Sequence, residues 1–417
     1  MPQKVYAIGE LDSRSNLGVV TAINPLVKYL KKAGLDIECL TYDRLPKKNV
    51  FKFYRSLSTL NIKFPSISVT RNFRNLWAIR AIQEVGEEDI LHIHSFTLLP
   101  HLLQSLRVPR KVILTYYGTH TGIIDVDGPT NPYYLRAIFN IPDTVIVDES
   151  DRNMLLERAQ KHLPNEVEQM RSKMILFPFI GIDDEVFDPD RIESHPWYRQ
   201  NINKDGLIVF KGGAIESMKG DSILIKIAKE ILSKRKNVYF VWGGYFRRYP
   251  PKQQAILEKE LKRLCEKYPK NTFYLGTYQH SELPSFLNGA DVVPHFHKKV
   301  SNILSTFGRE ATMMGRYVLA TNIGWYKTLM SESKGLRVFD WGDDNTLIKE
   351  VSNELTYLAD NVDETRKKGM ENRTHALKYC SAKISAKQHM VIYKALANNE
   401  AMPTTEELLS ISRKHTP

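Results

Sequence analysis

The 417-residue chain reads as an α/β protein made of two halves, each with a parallel sheet. Three observations predict this. Short apolar runs of strand type alternate with amphipathic helical stretches along the whole chain, the pattern of βα units and therefore of parallel sheets. Several of these runs end in glycine or polar residues, as strand ends bordering a ligand crevice do in open α/β sheets. The length, with 42% hydrophobic and 25% charged residues, suffices for two or three domains with sizeable cores.

In the first half, Lys4 to Gly9 is a buried strand. Asn16-Leu17-Gly18 is a turn into a helix whose Val19, Ala22, Ile23, Leu26, Val27 and Leu30 share one face. Gly18 lets backbone approach a ligand at the carboxyl end of that strand. Leu35 to Thr41 is the second strand. Ile90 to Ile93 and Val112 to Thr115 are strands separated by a helix around Leu98 to Leu106. Asp143 to Asp148 is another, followed by a helix from Arg152 to His162 and a strand from Met174 to Phe177. His92 and His94 alternate on their strand and so face one side, a spacing a metal could use, although no further ligand cluster accompanies them.

Arg191 to Asp205, with Pro196 and many polar residues, reads as a hinge. The second half opens on the strand LIVF after Gly206, and Lys211-Gly212-Gly213 to Lys219-Gly220 leads into an amphipathic helix through Leu232. Further strands are expected at Val238 to Gly244, Thr272 to Gly276 and Ala290 to Pro294, with helices at Lys252 to Tyr268 and His280 to about Gly289. His295 and His297 repeat the H-x-H spacing, either lining a cleft mouth or pairing on a metal.

Ser301 to Gly324 then runs loop, helix, turn and strand without a break. Phe307 to Met314 suits a helix, Gly315 a left-handed cap, and Tyr317 to Ala320 a short strand. The loop residues Ser301, Asn302, Ser305 and Thr306 enter a helix N-terminus, whose unpaired N–H groups and positive dipole end suit a phosphate or diphosphate. Glu310 sits one turn inside. Beyond lie a strand at Leu336 to Phe339, helices at Asn345 to Ala359 and Ile384 to Leu396, a mixed-charge solvated helix at Glu364 to Arg373, and a short terminal helix.

The three cysteines, Cys39, Cys265 and Cys380, are far apart with no C-x-x-C spacing, so they read as reduced, buried thiols of a cytosolic protein. The N-terminus meets acidic and turn residues too soon for a signal peptide, and no apolar run approaches the ~18 residues of a membrane span. Formal net charge is +12, concentrated between Arg44 and Arg80, where Arg44, Lys47, Lys48, Lys52, Arg55, Lys63, Arg71, Arg74 and Arg80 meet no acidic residue. Phe51, Phe53, Tyr54, Phe64, Phe73 and Trp77 are interleaved with them. Such a mixture suits an anionic membrane surface, a solvated basic face with aromatics turned into the core, or, less well, nucleic acid.

The run Glu310-Ala311-Thr312-Met313-Met314-Gly315-Arg316-Tyr317-Val318-Leu319-Ala320-Thr321 resembles the E-A-M-A-x-G-x-P-V-I-A-T signature of GT4-type retaining glycosyltransferases of GT-B fold. Other segments resemble the same family. DILHIHS is similar to its D-V-V-H-x-H-S strand, and FPFIGIDDEVFDPD to V-I-P-N-G-V-D-x-x-x-F-x-P. Glu216, Lys219 and Gly220 match its G-R-x-x-E-x-x-K-G, and the run through Leu283 to Pro294 its E-L-P-x-L-Y-x-x-A-D-V-F-V-x-P. The departures are local: Gly213 stands at the family's arginine, Asn302 at its first glutamate, and Tyr117 at its T-x-H-G histidine, with His120 three residues on.

The resemblance implies two Rossmann-like domains facing a cleft: an acceptor domain over 1–190, a hinge over 191–205, a nucleotide-sugar domain over 206–383, and a helix and tail over 384–417 returning to the first. It implies a metal-independent transfer, with retention, of a sugar from a UDP- or GDP-sugar to a glycan or lipid-linked acceptor. Glu310 would hold ribose and Lys219 the diphosphate. Glu216 belongs to the same motif, Asn302, Ser305 and Thr306 would meet sugar and phosphates, and Gly18 the diphosphate from across the cleft. Tyr117 or His120 would reach the reacting sugar, and Lys211, Lys298, Lys299 or Arg309 would supply the cation missing at Gly213. The Arg44 to Arg80 segment would dock the protein peripherally at the inner face of a membrane. A nucleotide-sugar epimerase, or a catalytically silent glycan or nucleic-acid binder, would share this fold.

Overall fold

The computed structural model describes residues 4–8, 18–40, 85–94, 111–116, 132–176, 181–203, 205–246, 251–297, 306–321, 326 and 332–414. They form two compact units, one of 1–180 with 385–411, the other of 181–384 with 412–417.

Unit 1 holds one sheet of six parallel strands in the order β2-β1-β3-β4-β5-β6. The strands are β1 (Val5–Ile8), β2 (Ile37–Leu40), β3 (Ile90–Ile93), β4 (Lys111–Thr115), β5 (Thr144–Val147) and β6 (Met174–Leu176). The central strands β3, β4 and β5 are continuous, almost wholly buried and largely apolar runs, as parallel strands between helices must be. Between them lie α1 (Gly18–Lys32), α2 (Pro132–Asn140), α3 (Glu149–His162) and α4 (Val167–Ser172). Asp148 caps α3, its carboxylate accepting from the N–H of Asp151 at 2.6 Å, which starts that helix three residues before the expected Arg152. The helix expected around Leu98 to Leu106 lies outside the described residues.

Unit 2 repeats the plan with β7 (Leu207–Lys211), β8 (Val238–Trp242), β9 (Thr272–Tyr274), β10 (Val292–His295), β11 (Tyr317–Thr321) and β12 (Leu336–Phe339). Their order is β12-β11-β10-β7-β8-β9, all parallel. Its helices are α5 (Pro196–Asn201), α6 (Asp221–Lys234), α7 (Pro251–Lys267), α8 (Leu283–Asn288), α9 (Thr306–Met313), α10 (Asp344–Asp360) and α11 (Val362–Tyr379); α12 (Ala382–Asn398) and α13 (Thr405–Arg413) close the chain. One core cluster packs Ile223, Leu224 and Ile227 of α6 with Val351 and Leu355 of α10, and a second packs Ala311 and Met313 of α9 with Phe286 and Phe210.

Three observations bear on the sequence expectations. Within the stretch 191–205, expected as a hinge, α5 packs in the core of unit 2, where Tyr198 donates to Phe286 O at 3.0 Å. The preceding residues pack there too, because Arg373 donates to Phe187 O at 2.8 Å and meets Asp188 at 2.9 Å. Second, α11 is longer than the expected Glu364 to Arg373 and only partly solvated: Thr365, Gly369, Asn372 and Ala376 are buried, with Asn372 donating to Arg316 O at 2.7 Å. Third, Cys380 is buried but Cys39 and Cys265 are only partly so. Gly315, at φ +67°, is the left-handed helix end its sequence context predicts. Among the described residues no helix is long and apolar enough to cross a membrane.

In unit 1, α12 is fastened to the sheet by polar side chains. His92 is hydrogen-bonded to Tyr393 Oη and to Thr115 Oγ1, both at 2.7 Å, and its ring centroid lies 4.0 Å from that of His94 and 5.6 Å from that of His389. Burial drives all three imidazoles towards the neutral form, His94 down to about 3 and His389 to about 4. The H-x-H pair of β3 therefore serves the packing of α12. No three or more His, Cys, Asp or Glu side chains among the described residues are grouped to hold a metal.

Candidate functional site

The strand order of unit 2 reverses between β7 and β10, neighbours in the sheet whose connections leave in opposite directions. In open parallel sheets the crevice beyond the carboxyl ends at such a point is where ligands bind. Val209 pairs with Val292, so the strands run out side by side at Lys211 of β7 and His295 of β10.

Lys211 is buried, its ammonium 3.7 Å from the Asp221 carboxylate and donating to Gly212 O at 3.0 Å. Asp221, the first residue of α6, is wholly buried and accepts the N–H of Glu216 at 2.9 Å. Burial pushes its carboxyl above the ordinary range, opposed first by Lys211 and then by that N–H. Lys219, a quarter exposed, reaches Glu216 at 3.4 Å. The β7–α6 loop thus gathers two cations against two acids. Gly213 within it has φ +85° and nothing within 4 Å of where a Cβ would stand. That left-handed backbone disfavours an L side chain by about 1–2 kcal/mol, which is reason enough for glycine at the position where the family has arginine.

Facing this loop is α9. Glu310 is 2% exposed, and burial raises its carboxyl to about 8, opposed by the nearby Arg309 and by a hydrogen bond from Thr306. His280 Nε2 lies 3.6 Å from Glu310 Oε1, and burial lowers that imidazole. With the acid raised and the base lowered, the two meet at neutral pH as uncharged groups rather than as an ion pair. Tyr278 completes the wall. It accepts the Gly213 N–H at 3.2 Å, and its hydroxyl is held un-ionised by burial and by Glu310.

Of the residues singled out from sequence, Lys211, Glu216, Lys219, Thr306 and Glu310 all belong to unit 2, on the β7–α6 loop and α9. Gly18 is the first residue of α1 in unit 1, inside the helix rather than in the turn before it. His120, Tyr117, Asn302, Ser305, Lys298, Lys299 and the Arg44 to Arg80 segment lie outside the described residues. Asp221, Tyr278 and His280 escaped sequence reasoning. An acid directly after Lys219-Gly220 was a legible helix-start signal for Asp221; nothing local marks the other two.

No protein-family model and no curated protein sequence matches the chain. Solved structures do. HepE of Anabaena in complex with UDP superposes at a TM-score of 0.65 and 13% identity over 95% of this chain and 100% of that one. A glycosyltransferase of Rickettsia africae does so at 0.67 and 16%, again over 95% and 100%. Sucrose-phosphate synthase of Thermosynechococcus elongatus gives 0.64 and 14% over the same shares. At such identities the likeness is one of architecture, and on that level it agrees with the two six-stranded parallel sheets and the resemblance in the sequence: this chain has the GT-B fold.

Proposed function

We propose that the protein is a glycosyltransferase that moves a sugar from a nucleotide-sugar donor to an acceptor hydroxyl, with retention and without need of a metal. The observation that carries this reading is the convergence of Lys211, Lys219 and Glu310 on the crevice where the strand order of unit 2 reverses. A departing nucleoside diphosphate gains negative charge as the glycosidic bond breaks, and fixed cations in a water-poor crevice lower the barrier to that step. Lys219 takes this role, and the buried Lys211 replaces the arginine excluded at Gly213. Glu310 and His280 receive the ribose hydroxyls, since an uncharged carboxyl and imidazole can each donate and accept. Thr306, with Asn302 and Ser305, meets the phosphates and sugar, and Glu216 orients Lys219.

A UDP-sugar is favoured over a GDP-sugar because HepE has been crystallised with UDP and with UDP-glucose. The acceptor is a glycan or a lipid-linked glycan held by unit 1, for which Gly18 and His120 are the proposed contacts and Arg44 to Arg80 the proposed contact with an anionic bilayer.

Calorimetric titration of UDP-, GDP- and ADP-sugars, followed by donor consumption with and without lipid-linked acceptor, tests the reading. Tight binding of one donor with acceptor-dependent loss supports transfer. Acceptor-independent conversion would make the protein an epimerase, and absence of donor binding a silent binder.

A further inference from the structure

At the carboxyl end of β10 three polar side chains are joined in a row. His295 Nδ1 lies 2.6 Å from Tyr326 Oη, and His295 Nε2 lies 3.1 Å from His297 Nε2. All three are buried, at 7%, 1% and 2% exposure for His295, Tyr326 and His297. The row rests on the first turn of α9. A Cβ on Gly308 would stand 1.8 Å from Tyr326 Oη and 2.7 Å from His295 Nδ1, so only glycine admits the Tyr326–His295 bond two residues from Glu310. Phe296, between the histidines, packs on Gly220, where a Cβ would come within 2.4 Å of it, and so beside Lys219.

Burial above all, then His297 on its own strand end, Lys211 of β7, Lys219 of the β7–α6 loop and Arg309 of α9, hold His295 neutral. Tyr326 is faced by Arg309 and by Cys380 after α11.

Two ring nitrogens facing each other at this distance hold one proton between them. In one arrangement Tyr326 donates to His295 Nδ1, and His295 Nε2–H donates to His297 Nε2. In the other, His297 Nε2–H donates to His295 Nε2, and His295 Nδ1–H donates to Tyr326 Oη. With the Nδ1 proton of His297 retained, passing from the first to the second takes up one proton. Tyr326 gives its proton to His295 Nδ1 and accepts one from solvent, while the His295 Nε2 proton moves to His297 Nε2. The added charge then rests on His297, which carries protons on both nitrogens.

We propose that Tyr326, His295 and His297 form a proton relay that charges His297 when a diphosphate occupies the crevice beside Lys211, Lys219 and Arg309, adding a cation only while the ligand is bound. Among the described residues, the three cations that act on His295 oppose an imidazolium in this row. A diphosphate carrying two negative charges offsets them and favours it. His297 is then a positioning residue for the diphosphate.

The inference rests on the nucleotide-sugar reading, and the test separates the two. Titrating UDP-glucose, whose phosphates stay fully ionised at neutral pH, in buffers of different ionisation enthalpy gives the protons taken up per ligand bound. The wild type should take up about one more proton than His297→Gln near pH 7, with affinity falling by up to about tenfold per pH unit above it; the variant should lack that dependence. Tyr326→Phe, which keeps the ring packing, should lose most of the extra uptake if His297→Gln folds poorly. The same uptake in all three proteins, with UDP-glucose bound, overturns the relay and leaves the donor site standing. If no nucleotide sugar binds, the donor site falls and the relay with it.

Discussion

His280 Nε2 stands 3.6 Å from Glu310 Oε1 across 30 residues of chain, and burial favours the uncharged form of both groups, raising the Glu310 carboxyl to about 8. The folded protein therefore keeps a proton on Glu310 that the unfolded chain releases at ordinary carboxylate pH. Because the folded state binds more protons between the usual glutamate pKa and about 8, stability is fully present below that window, declines as pH rises through it and levels off above. Replacing Glu310→Gln should remove this decline. The melting temperatures of variant and wild type should be close near pH 4.5 and diverge towards pH 8, with the variant higher by the equivalent of a few kcal/mol. Parallel melting curves against pH would show that the carboxylate is ionised in the fold.

Lys211 and Asp221 form a buried pair, so the two members are expected to behave unequally when altered. Lys211→Met leaves the Asp221 carboxylate buried without its cation, a change of the kind that costs about 3–5 kcal/mol. Adding Asp221→Asn should restore most of that stability. It should not restore binding of the nucleotide sugar, which would separate the cation's part in folding from its part in the crevice. Denaturant melts and donor calorimetry on the two variants are the measurement.

Lys219 is partly exposed and lies 3.4 Å from Glu216, so its removal should leave stability nearly unchanged. Turnover is another matter. Lys219→Ala should lower it by about 10²–10³, the usual effect of losing one preorganised group at a developing oxyanion. Lys298→Ala, Lys299→Ala and Arg309→Ala should each do far less. Equal small losses across the four would argue against Lys219 as the main contact.

The buried histidines of unit 1 should make its stability sensitive to acid. His94 and His389 are lowered to about 3 and about 4, so the stability they leave intact above the ordinary histidine pKa is lost as pH falls from about 6.5 towards 4. His389→Gln should flatten the dependence of melting temperature on pH in that window. The loss it removes is on the order of 3 kcal/mol at pH 4.

The Arg44 to Arg80 segment should bring the protein onto vesicles containing anionic lipid and release it at high salt. Each cation near such a surface contributes about 1 kcal/mol, so replacing Arg71, Arg74 and Arg80 with serine should weaken vesicle binding by about 10². Binding unchanged by these replacements would turn the segment into an ordinary basic face.

Much of the architecture was legible because it is local. Val5–Ile8 and Tyr317–Thr321 are short apolar runs bounded by polar residues and glycine, and Asp344–Asp360 carries its apolar positions at helical spacing behind the Asp343 cap. Lys219 and Glu310 could be named because each lies inside a contiguous motif. Other features depend on contacts between residues remote in sequence. The meeting of His280 with Glu310 requires the segment after β9 to lie beside α9, and the burial of Asp221 under Lys211 requires α6 to start directly beneath the end of β7. The packing within 191–205 is of the same kind: proline and polar residues mark a break in regular structure, but that Tyr198 packs against Phe286 depends on a contact remote in sequence. Short-range propensity writes helices and strands into the chain, whereas the order β12-β11-β10-β7-β8-β9, which alone brings Lys211 beside His295, is settled by the burial of both faces of a sheet whose strands are far apart in sequence.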